Sequence, residues 1–310
     1  MTSLIKRTIL SAALFCAAPI IAAAETINLV VPFPGGEDGF IEVISRYIAE
    51  DIDKNTELTV NFIEEAGAER GPFDIMAKVS TGQYEGPTVL TLVNDMFLAG
   101  PFVAPETKAN PFQPLGSILT FPVVLVAPSS SPYLNFETMA DVHFDQTLKL
   151  GYLMAEAGST SQTRAAARYF DFGFDLATPH ETPTCDLLQS GRVDVMVTMP
   201  ELVQDCEDDV RMILALTSEP HPLLPDVETV ADIIPPLAMS VRLGYYVTDD
   251  FPEHLRPIIK ASIEKTLQSE RAQALAKEKA NELDWTDQQG ELEKLRLDAA
   301  AMGKIQTYLN

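Results

Sequence analysis

Histidine is scarce in this 310-residue chain, and its four copies, His143, His180, His221 and His254, are scattered. None stands at metal-ligand spacing from another histidine or a cysteine, so no metal site is expected. A G-x-S-x-G nucleophile elbow is missing, and "QSGRVD" (189–194) does not supply one. The stretch "GGEDG" (35–39) occurs once and lacks the flanking acidic ligands of calcium-binding repeats. Cys185 stands beside Asp186 on an expected helix, a poor setting for a stabilised thiolate. With no nucleophile and no acid–base pair in place, the chain reads as a non-enzyme without a cofactor.

Positive charge is also short. Lys and Arg number 22 against 45 Asp and Glu, a formal net charge of −23 at pH 7. Nucleic acid demands a basic footprint, so it is excluded as a partner, and anionic membrane surfaces would repel the chain. The acidic excess reads as a solvated surface that maintains solubility. Long apolar runs are confined to the start. There "MTSLIKR" gives a basic opening, "TILSAALFCAAPII" an apolar core, and Ala22-x-Ala24 a cleavage site before Glu25. That order reads as a signal peptide over residues 1–24, cleaved after Ala24, with export to the periplasm. The core is too short to span a bilayer and Pro19 interrupts it. Loss of Lys6 and Arg7 with the leader takes the charge from −23 to −25. Cys16 leaves too, so only Cys185 and Cys206 remain. In an oxidising compartment they would close a loop of roughly twenty residues, worth about 3 kcal/mol. Sequence does not place their Cα atoms, so the pairing stays open at this point.

What the chain has is a regular alternation of elements. "INLVV" (27–31), "LTVNF" (58–62), "TVLTLV" (88–93), "VVLVA" (123–127), "LKLGYL" (148–153), "DVMVTM" (194–199), "MILALT" (212–217) and "LGYYVT" (243–248) read as strands. Phe40, Val43, Ile44, Tyr47 and Ile48 recur at helical spacing, predicting a helix over 39–52. Thr182, Pro183 and Gly191 bracket another, "PTCDLLQS". Leu255, Ile259, Ile263 and Leu267 step by four along one helix face, and a last helix is expected to open at Thr286 with Gln289 as capping partner. Strands alternating with helices predict an α/β fold with mainly parallel sheets. "PSSSP" (128–132) and "IIPPLA" (233–238) are the two places where the chain would change lobes.

Two glycine turns lead from strands into helices. Gly35 and Gly36 follow the first strand, and Gly158 follows the strand at 148–153. Beside Gly158, Ser159 or Thr160 can cap the next helix and offer a hydroxyl. A helix start carries free N–H groups and the positive end of the dipole, so each turn can receive a carboxylate or phosphate. Both turns lie at strand C-terminal ends, where α/β proteins place their ligand crevices. Neither contains a Lys or Arg, so an anion would be held by N–H groups, hydroxyls and water.

At this point a resemblance adds to the reading. "INLVVPFPGG" (27–36), "GST" before the helix at 161, "LLQSGRVDVMV" (187–197) and "ILALTSEPHPLLPDVETVADI" (213–233) resemble, in order, the periplasmic receptors of tripartite tricarboxylate transporters, the Bug family. The chain departs from that pattern in several places. Its first turn is one residue short, Arg46 comes late, and "IEEAGAERG" (63–71) and "TPHETPT" (178–184) replace family motifs. The resemblance implies a two-lobed, type II-like periplasmic binding protein fold with the ligand cleft between lobes. One lobe would comprise residues 25–122 plus 241–310 and the other 123–240, with "VVLVA" and "LGYYVT" at the hinge.

It further implies a small organic acid or amino acid held by Phe33, Gly35 and Gly36 on one side and Gly158, Ser159 and Thr160 on the other. Asn94 would stand at the cleft rim and Met199 at a specificity position. The implied role is delivery to a membrane permease, by a monomer. The same cleft would also serve a sensor protein for a kinase or, less naturally, an exported enzyme. Glu37 and Asp38 in the first turn either cap the helix toward solvent or face the cleft. In the cleft they would repel a plain di- or tricarboxylate and favour a ligand with a cationic group or one bound through a divalent cation. That points to a small monocarboxylate or zwitterion rather than citrate.

Overall fold

The computed structural model describes residues 25–33, 39–144, 146–152, 157–176 and 185–310. The leader, and the first turn with Gly35, Gly36, Glu37 and Asp38, lie outside the described residues, as do Thr182 and Pro183. The strands are β1 (Glu25–Val31), β2 (Leu58–Glu64), β3 (Thr88–Val93), β4 (Phe112–Thr120), β5 (Val124–Pro128), β6 (Thr147–Gly151), β7 (Gly173–Leu176), β8 (Val195–Thr198), β9 (Val210–Ala215), β10 (Arg242–Thr248) and β11 (Thr286–Asp287). The helices are α1 (Phe40–Asn55), α2 (Pro72–Ser80), α3 (Asn94–Val103), α4 (Phe136–Val142), α5 (Ala157–Tyr169), α6 (Cys185–Gln189), α7 (Val230–Ile233), α8 (Leu255–Leu267), α9 (Glu270–Glu278) and α10 (Gln288–Leu309). None of the described helices is long and apolar enough to cross a membrane.

The strands form two sheets, ordered β11-β4-β10-β3-β1-β2 and β7-β6-β8-β5-β9. Parallel pairing joins β1 to β2 and β3, and β6 to β7 and β8. The remaining ladders are antiparallel, so each sheet is mixed. The cause lies in the connections. The chain leaves the first sheet after β4 and returns to it at β10, and strands entering by such a passage need no βα crossover to set a parallel sense. The two passages are themselves tied, because the Phe121 amide donates to the Val241 carbonyl at 2.8 Å. "PSSSP" is therefore no passage. It is a turn after β5, closed by Ser131 N–H to Pro128 O at 2.9 Å, while the outward passage is 121–123. "IIPPLA" does precede the return.

Helix and strand faces follow their residue patterns. β1 from Ile27 onward and β3 throughout are buried on both faces, which their largely apolar runs anticipate. α1 turns Ile44, Ile48 and Ile52 inward, and α8 buries Leu255, Ile259, Ile263 and Leu267, the four residues spaced by four. α10 starts slightly later than its sequence suggests. Thr286 pairs with β4 as part of β11, and Asp287 is the cap, accepting from the Gly290 amide at 2.9 Å. β4 escapes the sequence reading because Pro114 and Gly116 break its pattern. Gly116 is required there: a Cβ would stand 2.4 Å from the Trp285 ring, at a φ of +158°. Cys185, at the start of α6, is joined by a disulfide to Cys206, with Cα atoms 6.1 Å apart.

Candidate ligand site

The candidate site lies where β3 ends against the start of α5. Gly158, Ser159 and Thr160 lie inside the first turn of α5 rather than at its cap, since the helix already begins at Ala157. Ser159 and Thr160 are buried at 1% and 4% exposure, and among the described residues neither hydroxyl has a hydrogen-bond partner. Buried hydroxyls without partners cost about 1–3 kcal/mol each, which makes this pair, in the first turn of a helix, a candidate for contact with a bound polar group. One turn on, Gln162 anchors α5 to the return passage. Its side-chain amide donates to Leu237 O at 2.8 Å and Met239 O at 3.1 Å. Its Oε1 is a third buried polar atom without a partner among the described residues.

Opposite α5 stands a residue that the sequence reading did not single out. Asp95, in the first turn of α3, reaches across so that its Oδ2 accepts from the Gly158 amide at 3.3 Å. Its Oδ1 accepts from the Met96 amide at 2.7 Å. Only glycine permits this approach, because a Cβ at position 158 would lie 2.8 Å from Asp95 Oδ2. Burial pushes the Asp95 carboxyl up to about 6, against the two amides that favour its charge and with Asp298 adding repulsion. A folded-state value above the unfolded one means the native state holds this proton more tightly. The stabilising contribution is complete below about pH 4 and is lost as pH rises through about 6. Asp95→Asn is therefore expected to add about 2 kcal/mol of stability near pH 8 and almost nothing near pH 4, measured by urea denaturation at both. An equal effect at both values would contradict it.

Asn94, expected at the cleft rim, is wholly buried and its side chain is fully engaged. It donates to Ser240 O at 2.9 Å and to Asp298 Oδ2 at 2.8 Å, and accepts from the Arg242 amide at 2.8 Å. It thus clamps the end of β3 to the return passage. Arg242 beside it grips Glu291 through Nε and Nη2, both at 3.1 Å, and Asp298 through Nη2 at 2.6 Å. Burial disfavours the guanidinium's charge, yet Asp298 and Glu291 together hold it above its ordinary value. Asp298 is pushed up all the same, because burial costs its carboxylate more than a cation shared between two acids returns. That shared cation leaves Asp95 without a positive partner of its own.

Phe33 and Met199 are half-buried against the main apolar core at the ends of β1 and β8. A groove of about 650 Å³ opens between α10 and the loop Ser218–Pro222, with Ser240, Arg242 and Asp298 of the cluster above among its lining. It contains none of Phe33, Gly158, Ser159, Thr160 and Met199, and Lys294 and Lys304 share it with Glu219, Glu282 and Asp284. Opposed charges of that kind define no ligand class. On its wall His221 joins the two halves: Nδ1 accepts from the Leu223 amide at 3.2 Å, so Nε2 carries the proton and donates to Thr120 O at 3.0 Å. Burial holds its pKa below the ordinary value and keeps this neutral form.

No protein-family model matches the chain, and no curated protein sequence matches it significantly. Solved structures do. A TctC solute binding protein from Polaromonas superposes with a TM-score of 0.72 at 16% identity, covering 92% of this chain and 99% of its own. A protein from R. palustris with adipate gives 0.67 at 16% identity, covering 92% and 97%. MatC from Rhodopseudomonas palustris, with bound malate, gives 0.59 at 18% identity, covering 94% and 98%. Two mixed sheets joined by paired passages, matched over nearly the whole length of these proteins, give the chain the two-lobed α/β fold of the periplasmic solute-binding proteins.

Proposed function

We propose that the protein is a periplasmic receptor that captures a small carboxylate-bearing metabolite between two lobes, residues 25–122 plus 241–310 and residues 123–240. It releases the molecule unchanged to a tripartite tricarboxylate-type permease. The observation that carries this reading is the pair of buried, unpartnered hydroxyls of Ser159 and Thr160 in the first turn of α5. A helix N-terminus favours negative charge, and the two hydroxyls add neutral donors that suit a carboxylate. The adipate and malate bound in two proteins of this fold support that ligand class. Phe33 and Met199 would supply apolar walls.

A thermal-shift panel of mono-, di- and tricarboxylates and amino acids, each with and without calcium, tests the reading. A ligand that binds only the native state at about a hundred times its Kd adds about 2.7 kcal/mol, a rise of several degrees in melting temperature. The expected result is such a rise for one or a few small carboxylates, strongly reduced in Ser159→Ala/Thr160→Val. A flat panel, or a rise that the double variant leaves untouched, overturns the assignment.

A further inference from the structure

The α5 site already has a carboxylate in it. Asp95 comes from α3, in the first sheet's half of the molecule, and its Oδ2 accepts from the first-turn amide of a helix in the other half. A ligand carboxylate would seek the same amide and the same positive helix end. Three observations argue that this contact is more than chance packing. Gly158 removes the one atom that would hold Asp95 away, since a Cβ there would sit 2.8 Å from Oδ2 and 3.2 Å from the Asp95 Cβ. Asp95 is buried at 6% exposure, yet among the described residues no cation pairs with it. The adjoining Ser159 and Thr160 hydroxyls stay unpartnered although a carboxylate lies one residue away. A structural aspartate would normally gather every donor within reach. This one takes a single amide of α5 and leaves the rest.

Resting on the reading of α5 as the carboxylate site, we propose that Asp95 is a built-in occupant of that site, a stand-in that links the two lobes and that an incoming ligand carboxylate must displace. The surroundings make it a weak holder. Desolvation of its charge outweighs the Met96 and Gly158 amides, and Asp298 on α10 repels it. The cation of β10, Arg242, is committed to Glu291 and Asp298, and Tyr246 of the same strand offers no opposite charge. On release, Asp95 regains water, which offsets part of the cost of displacement. Apparent affinity is then set by this competition. Because the displaced carboxyl returns toward its ordinary range, ligand uptake releases a proton, and the Asp95-dependent part of the affinity rises with pH toward neutrality.

Asp95→Ala and Asp95→Asn, with malate and adipate as probes in calorimetric titrations near neutral pH, test the proposal. Asp95→Ala removes the competitor and is expected to tighten binding of whichever probe the native protein takes by about tenfold, since a hydrogen-bonded side chain is lost from the unliganded state. Asp95→Asn, which keeps an acceptor for the Gly158 amide without the buried charge, is expected to bind that probe more weakly than the native protein does. Weaker binding in both variants would overturn the proposal and make Asp95 part of the ligand cradle. Folding is controlled through the Asn variant, whose side chain is nearly isosteric. A second readout needs no ligand. In ¹⁵N-labelled protein the Gly158 amide shift should titrate with a midpoint near 6, following Asp95, and become flat in Asp95→Asn. A flat Gly158 amide in the native protein would overturn the contact itself. If neither probe binds native or variant protein while Gly158 titrates as expected, the proposed dicarboxylate ligands fail and the interlobe contact stands.

Discussion

Replacing Arg242 with alanine is expected to destabilise the protein by about 3–5 kcal/mol, the cost of stranding buried carboxylates. The residue opens β10, where the chain re-enters the first sheet, and is 3% exposed. Glu291 and Asp298, at 0% and 3%, come from α10 at positions seven residues apart and so share one helix face. Ser117 of β4 donates to Glu291 Oε2 at 2.7 Å, and Asn94 of α3 donates to Asp298. One guanidinium thereby fastens β10, β4, α3 and α10 to each other. Without it two buried carboxylates face each other with no cation between them, and Tyr246, already pushed well up by burial, cannot answer them. On the scale of this chain the loss lowers the melting temperature on the order of 10 °C. Urea denaturation measures it. A loss below about 1 kcal/mol would show that water enters the cluster freely, as it does around surface pairs. The triple replacement of Arg242, Glu291 and Asp298 by apolar residues of similar volume should recover most of the loss, since no charge is then left buried.

Reduction of the Cys185–Cys206 bond should cost about 3 kcal/mol, and Cys185→Ser/Cys206→Ser should match the reduced native protein. The two residues are 21 positions apart, so the link removes loop entropy from the unfolded chain. It also fastens a weak part of the fold. α6 has only five residues, and Cys206 lies in the turn Pro200–Asp209, which departs from helical geometry at Cys206 itself. Cys206 packs with Leu187, Leu188 and Val203 in a satellite core separate from the main one. Cleaving the link should therefore loosen this corner while the α5 site, anchored through Gln162 to the return passage, keeps its ligand response. Urea denaturation with and without reductant measures the first effect, and the carboxylate panel the second. Unchanged stability on reduction would mean that the satellite core holds the corner alone.

The parts of the fold legible in the sequence are those whose information is local. All eight expected strands are present within a few residues of their expected bounds, because short, largely apolar and β-branched runs such as "TVLTLV" suit strands buried on both faces. The missing strands had weak local signals. β4 carries Pro114 and Gly116, β7 is four residues long, and β11 is two residues ahead of a helix cap. The mixed sense of the sheets was also hidden, because it depends on where the chain changes sheets and not on any strand's own residues.

The same divide runs through the site. A glycine turn followed by Ser159 and Thr160 points to a helix start from sequence alone. That Asp95 meets it depends on contacts across 63 positions of chain, and no periodicity announces such a meeting. Asn94 was noticed as a polar residue after a strand, yet its partners at 240, 242 and 298 give its amide a clamping task. The acidic turn with Glu37 and Asp38 lies outside the described residues.

In the proposed function, the first turn of α5 receives a ligand carboxylate. The direct measurement is a ¹⁵N chemical-shift map of the protein titrated with the carboxylate that gives the largest thermal shift. The predicted result is that the amides of Gly158, Ser159 and Thr160 move most, with Asp95 and Met96 moving as the internal carboxylate leaves. Shifts concentrated instead along Ser218–Pro222 and the facing side of α10 would place the ligand in the other groove and contradict the account.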